Sequence, residues 1–261
     1  MALYILPGVW REMKIIIKKW LILLLGFGLG IQAYATPLDP EGFYLNAGGG
    51  PTYVPNLEPT EVILVPIPSP GNSNVILMTP INELVNNIGG GATISFGYKY
   101  KAVRGEGQFI YNYARYKEFR ILGEQNIDDI APVRTRGNST LLAGMFNVFL
   151  DFNFSNNPRQ EFIFVPYIGG GIGVANIQNV PKLEFLPPEG SDEELPGFKR
   201  SFSSSSVAYQ GIAGFRIYLD SVTSINLDYR YFDASSLGSF KSFQMHAIYL
   251  TFTFLLTSDK R

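Results

Sequence analysis

The stretch Ile88-Gly-Gly-Gly-Ala-Thr-Ile-Ser-Phe-Gly-Tyr-Lys-Tyr100 decides how this chain is read. Ile88, Gly90, Ala92, Ile94, Phe96, Tyr98 and Tyr100 alternate with Gly89, Gly91, Thr93, Ser95, Gly97 and Lys99, so one face is apolar and aromatic and the other small and polar. A period of two belongs to an extended strand, whose successive side chains point to opposite sides. Thr223 to Phe232 repeats the scheme, with Ile225, Leu227, Tyr229 and Tyr231 set against Asn226, Asp228 and Arg230. Asn147 and Asp151 likewise alternate with Phe146, Val148, Leu150 and Phe152.

Working outward, the pattern predicts eight strands, at 42–53, 88–100, 103–116, 139–152, 161–177, 206–219, 222–232 and 243–255, with no competing helical period after Thr36. Their connections sort into two classes. Short turns are expected around Lys101-Ala102, Ser155 to Pro158 and Asp220-Ser221, and long segments at 54–87, 117–138, 178–205 and 233–242. Such sorting is expected of an all-β, antiparallel, up-and-down transmembrane β-barrel with short periplasmic turns and long external loops. A soluble sandwich also alternates. It gives no reason to sort its connections, and it would crowd one core with the hydroxyls of Tyr98, Tyr100, Tyr111, Tyr113, Tyr229 and Tyr231. At bilayer interfaces those hydroxyls meet headgroups and water.

The N-terminus fits this compartment. Lys14, Lys18 and Lys19 precede an apolar run, Trp20 to Ile31, that ends at Ala33-Tyr34-Ala35, an A-x-A cleavage signature. The run is shorter than the ~20 residues a membrane helix needs. Residues 1–35 are therefore expected to be a signal peptide and 36–261 the barrel domain, and a start at Met13 would give the usual short basic leader. Without the leader, 17 basic residues face 21 acidic ones, which gives no reason to propose a nucleic-acid partner. The chain has no cysteine, so neither disulfides nor an acylated-cysteine anchor contribute.

Eight strands make a barrel just wide enough for its own side chains to fill. Glu106 lies shortly above the turn at Lys101 and Arg216 shortly above that at Asp220, with Arg104, Asp151, Asp228 and Arg230 within reach of the same layer. A polar lumen network of these six residues is expected, because enclosed charges must be paired or wetted. Glu106 is expected to pair with Arg216 or Arg230.

Phe164-Val-Pro-Tyr-Ile-Gly-Gly-Gly-Ile-Gly-Val-Ala175, Ala208-Tyr-Gln-Gly-Ile-Ala-Gly-Phe-Arg-Ile-Tyr218, Leu227-Asp-Tyr-Arg-Tyr231 and His246-Ala-Ile-Tyr-Leu-Thr-Phe-Thr-Phe254 resemble the opacity-protein and bacterial surface-antigen families of small outer-membrane barrels. The architecture is that of the transmembrane domain of outer membrane protein A. The resemblance is best over 162–254 and weaker over 43–152. It implies surface exposure, adhesion or host interaction, with outer-membrane lipids and the barrel assembly machinery as partners. Members often end on a terminal aromatic residue, whereas here seven residues follow Phe254.

The sequence offers little chemistry. The triplets Gly48 to Gly50, Gly89 to Gly91 and Gly169 to Gly171 lack a phosphate-loop context, and are expected to make room for bulky neighbours or allow strand curvature. His246, the single histidine, has Gln244 and Ile248 as its neighbours two residues away, neither a nucleophile. Asp128-Asp129 reads as solvated loop, and the acidic tip 189–194 lacks calcium-loop spacing. The aliphatic runs 61–68 and 75–78 predict a first loop that folds back, extends a hairpin, or meets lipid or a partner. The leading expectation is a non-enzymatic surface barrel without cofactor or metal, whose loops meet a host, matrix or environmental ligand. The alternatives are a small porin-like channel for water or small solutes and a lipid-active enzyme.

Overall fold

The computed structural model describes residues 41–58, 60, 63–69, 72–121, 133–152, 164–185, 197–235 and 242–257. The predicted leader, the turn at 155–158, Asp128-Asp129 and the acidic tip 189–194 lie outside these residues. Eleven strands form: β1 (Gly42–Tyr53), β2 (Ile63–Ser69), β3 (Asn72–Asn86), β4 (Gly89–Tyr100), β5 (Val103–Ile121), β6 (Val133–Asp151), β7 (Phe164–Phe185), β8 (Phe198–Lys199), β9 (Phe202–Tyr218), β10 (Thr223–Ser235) and β11 (Ser242–Thr257).

Eight of them close a ring in which every neighbour is antiparallel: β1, β4, β5, β6, β7, β9, β10 and β11, with β11 pairing back onto β1. These are the eight strands expected from period two. Closure leaves the wall without an edge, so its backbone groups can tolerate hydrocarbon. Outward side chains form an apolar belt, with Ile94 56%, Phe146 60% and Val174 66% exposed, while the residues after them, Ser95, Asn147 and Ala175, are buried. An exposed belt of this kind around a closed ring inverts the arrangement of a soluble barrel and fits the bilayer interior. Tyr98 and Tyr100 stand outward at the end of the ring that carries the Lys101-Ala102 turn, and Tyr111, Tyr113 and Tyr229 stand outward toward the other.

Three predicted loops are built in part as strand. β5 continues to Ile121, β6 begins at Val133, β7 continues to Phe185 and β9 begins at Phe202, so the wall rises beyond the belt. The first loop extends a hairpin: β2 pairs with β3, β3 pairs with the far end of β5, and Leu57 bridges to Leu84. The β5–β6 ladder ends at Arg115 opposite Asn138, and above it β5 turns to β3 while β6 stays with β7. Gly137 stands at this parting with φ +119°, a conformation that side chains rarely adopt. β2 is a free edge. Pro66 and Pro68 have no N–H, so the ladder to β3 must draw its donors from Ile63, Val65 and Ile67, leaving the prolines on the open side.

Candidate functional site

The interior has two tiers. The lower tier holds all six residues of the expected network, each buried, together with Lys99, which shares the polar face of β4 with Thr93 and Ser95. Asp151 is its hub. It accepts from Arg104 Nε at 2.8 and 2.9 Å, with Lys99 Nζ at 3.6 Å and an Arg216 guanidinium nitrogen at 3.9 Å. Arg216 Nε also donates to Asn226 at 2.7 Å, and Lys99 to the Tyr218 hydroxyl at 3.1 Å. A second pair joins Arg230 to Asp228, two residues apart on the inward face of β10, and the Tyr167 hydroxyl donates to Asp228 at 3.0 Å. The Arg104 guanidinium packs over Phe149 and Tyr167, 4.4 and 4.8 Å from the ring centroids, which joins the two clusters through an aromatic layer.

Glu106 corrects the expected pairing. Among the described residues no arginine lies within ion-pair distance of it; its carboxylate accepts from Tyr44 at 3.1 Å, Ser95 at 3.1 Å and Asn147 at 3.2 Å. The register explains the choice. Tyr44, Gly97 and Glu106 lie in one row across β1, β4 and β5, and the tyrosine reaches its acceptor by crossing the bare glycine. A Cβ on Gly97 would come within 2.5 Å of the Tyr44 ring. The same device recurs across β6, β7 and β9, where Asn147 crosses Gly171 to meet Gln210. Gln108 accepts from both of these amides, at 3.0 and 2.8 Å. The glycines thus serve as gaps through which side chains two strands apart make contact.

The upper tier is largely apolar, which the sequence reading did not foresee, with Thr52, Asn112, Ser139 and Asn179 buried among its apolar side chains. Ile110, Leu141, Met145, Ile177, Phe232, Phe243 and Met245 fill the ring, and Val54, Leu57, Ile81, Leu84 and Phe119 from the first loop and the β5 extension pack on them as one cluster. A signal was present: Phe232, Ala234, Phe243 and Met245 share the parity of the inward residues of β10 and β11. Burial of this surface dehydrates the mouth of the barrel and ties the hairpin to it. His246 faces outward beside Tyr53, Tyr229 and Tyr231, with its Nδ1 2.6 Å from the Tyr229 hydroxyl.

No family model and no curated protein matches the chain. Solved structures similar to it include Neisserial surface protein A, at 14% identity and TM-score 0.46 over 84% of this chain and 100% of that one. Ail, the attachment invasion locus protein of Yersinia pestis, gives 12% and 0.42 over 83% and 100%, in a complex with the heparin analogue sucrose octasulfate. The outer membrane protein OprG from Pseudomonas aeruginosa gives 12% and 0.38 over 86% and 99%. With TM-scores below 0.5, these likenesses add nothing to the argument from geometry.

Proposed function

We propose that this is a non-enzymatic outer-membrane surface barrel: a closed anchor whose extended strands and first-loop hairpin are presented outside for contact with a host, matrix or environmental ligand. The occluded interior carries this reading. A paired charge layer below and a largely apolar plug above fill the lumen, which supports an interior that holds the barrel shut rather than one that conducts. The wall that continues above the belt gives the external segments a rigid base, the usual arrangement for recognition.

The test has two arms. Wild-type protein in a planar bilayer should pass no steady current, and a stable ion-selective conductance from single barrels would replace the anchor with the porin-like reading. On cells, a variant lacking residues 63–80 should still fractionate with the outer membrane but lose adhesion to matrix-coated surfaces. Unchanged adhesion would take the presenting role away from the hairpin.

A further inference from the structure

Above the belt, the two halves of the barrel wall differ in charge. On β5 the outward series runs Tyr111, Tyr113, Arg115, Lys117, passing from the aromatic girdle directly into cations. Arg136 on β6 lies directly opposite Lys182 on β7, and Lys182 directly opposite Lys199 on β8. Their chain neighbours Pro181 and Leu183 are buried and Phe198 packs on the plug, so the three cations share the outer face. Arg134 stands one outward position further along β6, opposite Glu184. Among the described residues the acid on this face is Glu184, which reaches only Arg136, at 2.9 Å. Glu83 and Glu118 are held by Arg120 on the hairpin side. The opposite arc of the wall, on β10 and β11, presents Tyr231, Asp233, Gln244 and His246.

Like charges directly opposite one another on adjacent strands are destabilising. An anion that bridges the row would offset that repulsion. Position selects the anion. Arg115 is two residues past Tyr113, ~7 Å along the strand and roughly 5 Å in height at a barrel tilt of ~40°, with Arg136 and Lys117 a similar step higher. That is the depth of a headgroup layer; the exposed Tyr113 lies just beneath Arg115, and the exposed Leu142 and Val174 lie lower on β6 and β7. One molecule with acyl chains and phosphomonoesters satisfies both surfaces at once, which a soluble polyanion does not.

We propose that the β5–β8 arc, through Arg115, Lys117, Arg134, Arg136, Lys182 and Lys199, is a binding face for a phosphorylated lipid headgroup of the outer leaflet. This rests on the outer-membrane reading above. It gives the barrel one preferred lipid-facing side.

The full-length mature protein should be refolded into phosphatidylcholine nanodiscs containing either diphosphorylated or dephosphorylated lipid A, with insertion scored first by heat-modifiable mobility and lipid retention by native mass spectrometry. Wild type is expected to retain the diphosphorylated lipid at least about tenfold more tightly than the dephosphorylated one, given roughly a fivefold effect per surface cation near an anionic headgroup and several cations on this face. Arg136→Gln combined with Lys182→Gln and Lys199→Gln should abolish the preference without changing insertion, whereas Lys101→Gln, at the opposite end, should leave it intact. Equal retention of both lipids by wild type would overturn the proposal, as would a triple variant with undiminished preference. Soluble heparin that displaces the lipid from wild type and binds more tightly than it does would assign the face to a glycan instead. A protein that fails to insert in either disc would overturn the membrane reading itself.

Discussion

Asp151 is where a single atom change should be felt most. Replacing it with asparagine keeps the shape but leaves Arg104 enclosed without its carboxylate, with Lys99 and Arg216 also facing the lost charge. Breaking a buried pair of this kind costs roughly 3 to 5 kcal/mol. Asp151→Asn should lower the urea midpoint of the refolded barrel, and Arg104→Met in the same chain should recover part of the loss, a coupling a double-mutant cycle would measure. Gly97→Val tests the crossing glycine. The added side chain meets the Tyr44 ring and the Gly105 carbonyl oxygen and should cost about 1 to 3 kcal/mol; Tyr44→Ala should relieve the part due to the ring, so strictly additive losses would show that the two side chains do not meet. Lys101 closes the β4–β5 turn at φ +50°, a left-handed conformation that costs a side-chain-bearing residue about 1 to 2 kcal/mol. Lys101→Gly should therefore be neutral to stabilising, read as an unchanged or raised midpoint. Some of these contacts were legible in the sequence. Asp228 and Arg230, two apart on a strand, must share a face. The Arg104–Asp151 pair was not legible, because Arg104 stands opposite Phe149 and meets Asp151 diagonally, and a diagonal depends on register and barrel tilt that no single strand reveals.

At the level of elements, period two located all eight wall strands, because below the upper rim the outward face has to be apolar to meet lipid. It failed where that requirement stops. Lys117 to Ile121 and Gln178 to Phe185 carry charge on the outward side and read as loop, yet they are strand, since their inward residues Phe119 and Leu183 still face the plug. The hairpin was visible as aliphatic runs but not its docking. Its free edge carries a further expectation. With Pro66 and Pro68 on the open side, β2 offers an incoming strand too few donors to extend the sheet. Pro66→Val with Pro68→Val should restore a pairing edge and raise concentration-dependent association on sedimentation; a variant as monodisperse as wild type would mean the edge is protected by something else.

At the scale of the whole molecule, the fold is legible from sequence and its filled interior only partly so: a filled eight-stranded interior follows from geometry, but the division into a charged floor and a largely apolar ceiling depends on which inward residues sit at which height. That division should make the protein's stability respond unequally to its surroundings. High salt should weaken the exposed outer cations far more than the enclosed pairs, because screening acts mainly on charges in contact with water. The ring also has a direction in time. The partner of β1 is β11, which follows the other seven wall strands in chain order, so until Ser242–Thr257 has emerged the shorter nascent chain carries two wall edges that upstream pairing does not close. The wall can therefore be sealed only after translation has reached its final strand, the unfinished chain has to be shielded until then, and a chain stopped before Ser242 should accumulate outside the membrane however sound its first seven wall strands are.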